Sequence, residues 1–169
     1  VSNLNFEPGR NVPNLVVCMV GEGGSVSLTA NVGELDLLAY VVGCFTTGGA
    51  RVVPVAPSRL LDTRHGIGAR RGPVGPNGEI DLGVAGVGGV DRRATAVVLN
   101  VTATGATQET FVTVYPDGVR RPDASSLNVG QGATIANLVI AKVGADRKVR
   151  LYNDAGGLDL IADVTGYFI

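Results

Sequence analysis

The sequence predicts an all-β protein, an antiparallel β-sandwich of jelly-roll-like form, and three observations carry that expectation. Apolar residues show no helical spacing over any long window. Short β-branched runs bounded by Gly, Asn, Asp and Pro recur along the chain. The 169 residues include 25 Gly and 8 Pro but no Trp and one His, a turn-rich composition poor in acid–base groups. A β-prism or barrel-like arrangement is the alternative that fits the same strand spacing.

In chain order, strands are expected at 14–20 (NLVVCMV), 25–30 (SVSLTA) and 35–42 (LDLLAYVV), where Val and Leu dominate and GEGG supplies a turn. RVVPV at 51–55 and EIDLGVA at 79–85 follow, with the Gly-rich stretch between them expected to be an extended surface loop. TAVVLNVTAT (95–104) and TFVTVY (110–115) end on PDG, a turn of positive φ or Asx type. NLVIAKV (137–143), KVRLYN (148–153) and LDLIADVTGYF (158–168) are separated by GADR and NDAGG. In the last strand, alternation turns Leu160, Ala162, Val164 and Phe168 inward and Ile161, Asp163, Thr165 and Tyr167 towards water.

The chain also repeats itself. At an offset of 123 residues, Ser2–Phe45 lies on Ser125–Phe168 without a gap and matches at 19 of 44 positions. Residues 1–45 therefore read as the second half of a preceding repeat, docked in cis or strand-exchanged with a neighbouring chain. Residues 46–50 read as a linker, and 51–169 as a complete β module of one-domain size. The two copies are expected to share one backbone path. A fainter echo links TAVVLNVTAT…FVTVYPDG to ANLVIAKVGADRKVRLYNDAG. In the first copy Met19, Tyr40 and Val42 stand where the second has Lys142, Asp163 and Thr165. They predict an apolar outer face that another surface covers.

Net charge is −1 with both signs interspersed, so no positive field for nucleic acid exists. The apolar runs are far shorter than the roughly 20 residues of a spanning helix, so no membrane insertion is expected. No secretion signal or lipidation box stands in the sequence, and any targeting signal is expected to have been removed or to lie outside it.

PSRLLDTRHGIG, GPVGPNGEIDLGVAGVGGV, ATAVVLNVTAT, FVTVYPDG and VRLYNDAGGLDLIADVTGYF, in that order over 51–169, resemble a tandem repeat of secreted and cell-surface proteins of actinobacteria. The repeat occurs in arrays or appended to extracellular hydrolases and carries no settled activity. The resemblance implies an extracellular β module with no catalytic residues to transfer. Cys18 and Cys44, which face Ala141 and Tyr167 in the second copy, depart from it.

Those two cysteines read either as a disulfide of an exported protein or as two small apolar side chains. Strand parity turns Cys18 inward and Cys44 outward, which opposes a bond. Arg59, Asp62, Arg64 and His65 form the densest polar cluster, either a recognition patch for a carboxylate or sugar or an internal Asp–Arg lock. His65 has no second ligand at metal spacing and no activated nucleophile, so it points to neither a metal site nor a triad. Asp36, Asn153, Asp154, Asp159 and Asp163 offer oxygens for Ca²⁺ but lack EF-hand spacing. Tyr115 and Tyr152 read as a sugar platform or as rim packing. No catalytic residue and no cofactor is assigned.

The expected function is a non-enzymatic, secreted or cell-surface tandem module acting as spacer, stalk or interaction unit, with neighbouring repeats or identical chains as partners. One alternative is a carbohydrate- or cell-wall-binding module attached to a secreted hydrolase, with cell-wall polysaccharide as ligand. Another is a subunit of an extracellular filament assembled by strand exchange.

Overall fold

The computed structural model describes residues 2–169. Eight strands run in sequence: β1 Val52–Asp62, β2 Gly78–Gly83, β3 Ala96–Thr104, β4 Thr110–Pro116, β5 Leu127–Val129, β6 Ile135–Lys142, β7 Lys148–Asn153 and β8 Asp159–Phe168. They form two four-stranded antiparallel sheets, ordered β1-β8-β3-β6 and β2-β7-β4-β5. This is the jelly-roll sandwich, and neither the prism nor the barrel-like alternative is adopted. Leu61, Leu99 and Leu160 from one sheet meet Leu82, Leu127 and Leu151 from the other in a closed core. The strict alternation of buried and part-exposed residues along β3 is the period-2 signature of a strand with one face inward.

The strand order has a property that governs the rest. Call β1–β4 the first half of the module and β5–β8 the second. Every ladder, β1·β8, β8·β3, β3·β6, β2·β7, β7·β4 and β4·β5, joins a first-half strand to a second-half strand. No two strands of one half pair in a ladder. A half on its own has strands but no partners for their N–H and C=O groups.

Residues 2–45 display that condition. The strands expected at 14–20, 25–30 and 35–42 are not formed, and no described residue of the segment is buried. The positions they need beside β1–β4 are filled by β5–β8, so docking in cis as a second half does not occur. What survives are the bonds internal to a half. Asn14 Nδ2 donates to Asn3 O at 2.7 Å, as Asn137 Nδ2 donates to Ser126 O at 2.8 Å. The turn Arg10 N to Glu7 O matches Ala133 N to Gly130 O, and Gly21 N to Ser25 O matches Gly144 N to Lys148 O. Positive φ recurs at twin positions: Gly9 and Gly132, Gly23 and Asp146, Gly24 and Arg147, Gly33 and Gly156. The shared backbone path holds at the turns and stops where pairing with the other half begins.

Burial separates the core twins. Leu151, Leu160 and Val164 are 0 % exposed, whereas Leu28, Leu37 and Val41 are 63 %, 54 % and 93 % exposed. Met19, Tyr40 and Val42 are exposed as well, so the apolar outer face is not covered here, and without a sheet the segment has no inner and outer sides. Against the module, Phe45 lies 6.0 Å from its own twin Phe168, centroid to centroid, and Tyr40 lines a small cleft with Phe111 and Asn128.

Two local expectations are corrected. The polar stretch after residue 55 belongs to β1, which reaches Asp62 through irregularities at Pro54/Ser58 and Arg59/Leu61. In β8 a bulge opposite Val98/Leu99 shifts the alternation by one residue. Tyr167 then pairs with Val97 and packs on the core, while Phe168 sits on the other face. Ile161, expected to meet water, is 7 % exposed.

Leu160→Ala is expected to cost about 2–5 kcal/mol as a core deletion, and the twin change Leu37→Ala within about 0.5 kcal/mol. Urea denaturation of both variants measures the contrast; equal costs would contradict it.

Candidate functional site

The polar cluster of β1 and the turn after it forms a closed ion network. Arg59 stands opposite Asp163 in the β1·β8 register and grips it with two bonds, Nε to Oδ1 at 2.6 Å and Nη2 to Oδ2 at 3.0 Å. Its remaining Nη1 donates to Asp62 Oδ2 at 3.1 Å. Arg64 closes on Asp62 from the other side, Nε to Oδ1 at 2.9 Å and Nη2 to Oδ2 at 2.8 Å, with its backbone N also donating to Oδ1. Asp62 is 1 % exposed. The Arg64 hydrogen bond is the largest influence holding its carboxyl below the usual range, against the opposing effect of desolvation. Both arginines are shifted upward, each chiefly by its carboxylate partner.

Two arginines and two aspartates thus neutralise one another, and the forks that would grip a ligand carboxylate are engaged by the chain itself. The structure favours the lock. It pins the irregular end of β1 to β8 and to the following turn, where Asp62 N and Ile67 O, and Ile67 N and Asp62 O, bond at 3.0 Å. His65 is exposed and joins only through its backbone N, donating to Asp62 O at 3.1 Å. Thr63, which the sequence did not single out, donates to Asp159 Oδ1 at 2.7 Å and accepts from Leu160 N at 3.1 Å.

Tyr115 and Tyr152 are 3 % and 6 % exposed, which contradicts the sugar-platform reading. Tyr115 Oη donates to Glu79 Oε1 at 2.6 Å; Tyr152 Oη reaches Asn77 Oδ1 at 2.8 Å and Asp154 Oδ1 at 3.0 Å. Burial first, and the carboxylate partner second, raise both phenol pKa values. Arg121 covers the Tyr152 ring with its guanidinium 4.0 Å from the centroid. Beside Tyr115, Arg150 Nε lies 2.7 Å from Asp117 Oδ1 and 2.9 Å from Asp81 Oδ1, as ion contacts without hydrogen-bond alignment.

The oxygens considered for Ca²⁺ do not converge. Asp163 is held by Arg59, Asp159 by Thr63 and Asp154 by Tyr152, while Asp36 lies in the unpaired segment. Asn153 is wholly buried; its Nδ2 is shared among the carbonyls of Val74, Gly75 and Gly156 at 3.0 Å, and its Oδ1 accepts from Thr110. It ties the 74–75 loop to the β7–β8 turn. Among the described residues no group of three or more His, Cys, Asp or Glu is placed to hold a metal ion.

Cys18 and Cys44 are free and exposed, so the disulfide is not formed. Their twins Ala141 and Tyr167 both pair with Val97, one on each side of β3. The β8 bulge gives the twins a common face, unlike the opposite faces expected from strict alternation, but leaves them two strands apart. That spacing is about 10 Å, too far for an S–S bond.

A groove of about 600 Å³ runs between the 68–75 loop and β2, lined by Arg70, Arg71, Glu79 and Asp81 among others. Glu79 is engaged by Tyr115 and Arg150, and Arg71 Nε donates to Arg64 O at 3.0 Å. Arg71 ties the loop to the turn after β1, and the groove lining presents no nucleophile with a base beside it.

No protein-family model matches the chain, and no curated protein matches it.

Asp62 and Asp91 both titrate below the ordinary carboxylate range in the folded chain, Asp91 at about 2 beside Arg93. A depressed folded pKa gives stability that is present above about pH 4 and is lost as the pH falls through the folded value. The denaturation midpoint is therefore expected to drop between about pH 4 and 2, and Asp62→Asn to lower stability at pH 7 while flattening that drop. For the aromatic pair, Tyr152→Ala is expected to cost about 3 kcal/mol in urea denaturation, as a packed residue does. Unchanged stability with loss of polysaccharide binding would restore the platform reading.

Proposed function

We propose that the chain is a non-enzymatic, extracellular unit of a tandem array, one that presents its flanks for interaction beside the array's axis instead of bearing load along it. The observation that carries this reading is the position of the two ends of the module. Arg51 N donates to Ile169 O at 2.7 Å, Ile169 N donates to Arg51 O at 3.0 Å, and Val52 pairs with Phe168. The chain enters and leaves at one end of the sandwich, through adjacent antiparallel strands. Such a unit hangs from its connectors as a pendant, and a string of them sets spacing through size and linkers. Tension on the connectors opens the β1·β8 ladder one bond at a time, so the module yields easily; a stalk under load would need its ladders sheared together.

The non-enzymatic part of the reading is supported by the use made of the polar side chains. Asp62, Asp163, Arg59 and Arg64 lock one another, Tyr115 and Tyr152 are buried on carboxylates, and Asn153 is saturated by backbone carbonyls. The secreted, actinobacterial setting comes from the sequence resemblance alone.

Single-molecule pulling tests the pendant geometry. Attachment at residues 51 and 169 is expected to unfold the module at a lower force than attachment at 51 and 159, which shears β1 against β8. Equal forces, or a higher force for the first pair, would overturn the reading, and so would turnover of a peptidoglycan or polysaccharide substrate by the chain.

A further inference from the structure

We propose that Ser2–Phe45 is a strand donor that completes a sandwich with an unpaired β1–β4 half of this module type. The inference stands on pairing and burial and is independent of the proposed function. Three observations support it. The segment keeps the side chains that β5–β8 bury: Leu4, Val16, Val26, Leu28, Leu35, Leu37 and Val41 are identical to buried Leu127, Val139, Val149, Leu151, Leu158, Leu160 and Val164. It already has the turns and the Asn14–Asn3 bond of a second half, so its preorganisation matches a folded one. The strand ladders it lacks are ones that a first half supplies.

The occupant follows from counting. The 169 residues hold two second halves, 2–45 and 125–168, and one first half, 51–124. A second copy of the chain brings the same surplus, so exchange between copies always leaves one second half per chain unpaired. The partner is therefore a further first half from outside these residues.

Side-chain differences explain why the chain's own first half keeps 125–168. Tyr40 replaces Asp163, which would leave Arg59 without its carboxylate fork. Ala30 replaces Asn153, which would free the carbonyls of Val74, Gly75 and Gly156. The preferred partner thus has an apolar residue where this chain has Arg59. Connection in the opposite direction is no obstacle: Thr46, the twin of Ile169, lies five residues before Arg51, and the turn from Thr46 O to Gly49 N is already closed at 3.1 Å.

Amide hydrogen exchange on two full-length variants tests the proposal. In the first, a copy of residues 51–124 carrying Arg59→Leu is joined ahead of Ser2, reproducing the junction before Ser125. In the second, Leu160→Asp with Val164→Asp disables the competing half, so that 51–124 becomes free for 2–45. Exchange across 14–20, 26–30 and 36–45, fast in the original chain, is expected to slow at least about a hundredfold in one or both variants. Val41→Asp added to either is expected to restore fast exchange there. Fast exchange across 2–45 in both variants overturns the proposal, as does protection that survives Val41→Asp. Protection of 2–45 in a self-associated original chain also overturns it, because a second copy would then be the occupant.

Discussion

The structure depends on one constraint: each hydrogen-bonded ladder of the sandwich joins a strand from before residue 124 to one from after it. Turns form from neighbouring residues, but sheets here need both halves at once. Backbone polar groups without partners and apolar faces without cover make an isolated half unfavourable on two counts. The chain contains the comparison within itself, since the same residues are buried in one copy and exposed in the other. Leu151 has β2 and β4 alongside and is buried, whereas Leu28 has neither and is exposed. Such pairing is non-local, and folding of this topology is expected to be slow compared with helical bundles of equal size.

Charge and polarity serve the same interleaving. Arg59 reaches from β1 to Asp163 on β8, Thr63 from the end of β1 to Asp159, Arg150 from β7 to Glu79 on β2, and Asn153 from β7 to the loop ahead of β2. These bonds occur where β1 is irregular or where a turn must be held down, which backbone pairing alone does not do. Asp62, almost fully buried, is tolerated because two guanidinium groups and a backbone N–H satisfy it. A cluster that reads as a recognition patch in one dimension is a clasp in three, and the adjacency of Arg51 and Ile169 makes the whole module an insertable unit.

Much of the module was legible in the sequence because its strands are β-branched and its turns carry strong signals. β7 was placed at both of its ends, and β3, β4 and β8 to within one residue. β5 is only three residues, Leu127–Val129, too short to show alternation. The second part of β1 hid behind Pro, Ser and Arg, whose polar character belongs to the outer face of a bulged strand. Tyr167 and Phe168 were exchanged because a bulge cannot be seen in an alternating pattern. The lock was legible as one of two readings; the roles of Thr63 and Asn153 were not, since most of their partners lie more than 40 residues away in sequence. The strands of 2–45 were expected on local pattern, and their absence shows that pattern is not enough when every partner lies in the other half.

The most direct test of the interleaving is to divide the module into residues 51–124 and 125–169 and follow far-ultraviolet circular dichroism of each piece and of their mixture. The account predicts no β signal from either piece and recovery of the sandwich signal on mixing at equal concentration. A stable sheet in either piece alone would contradict it.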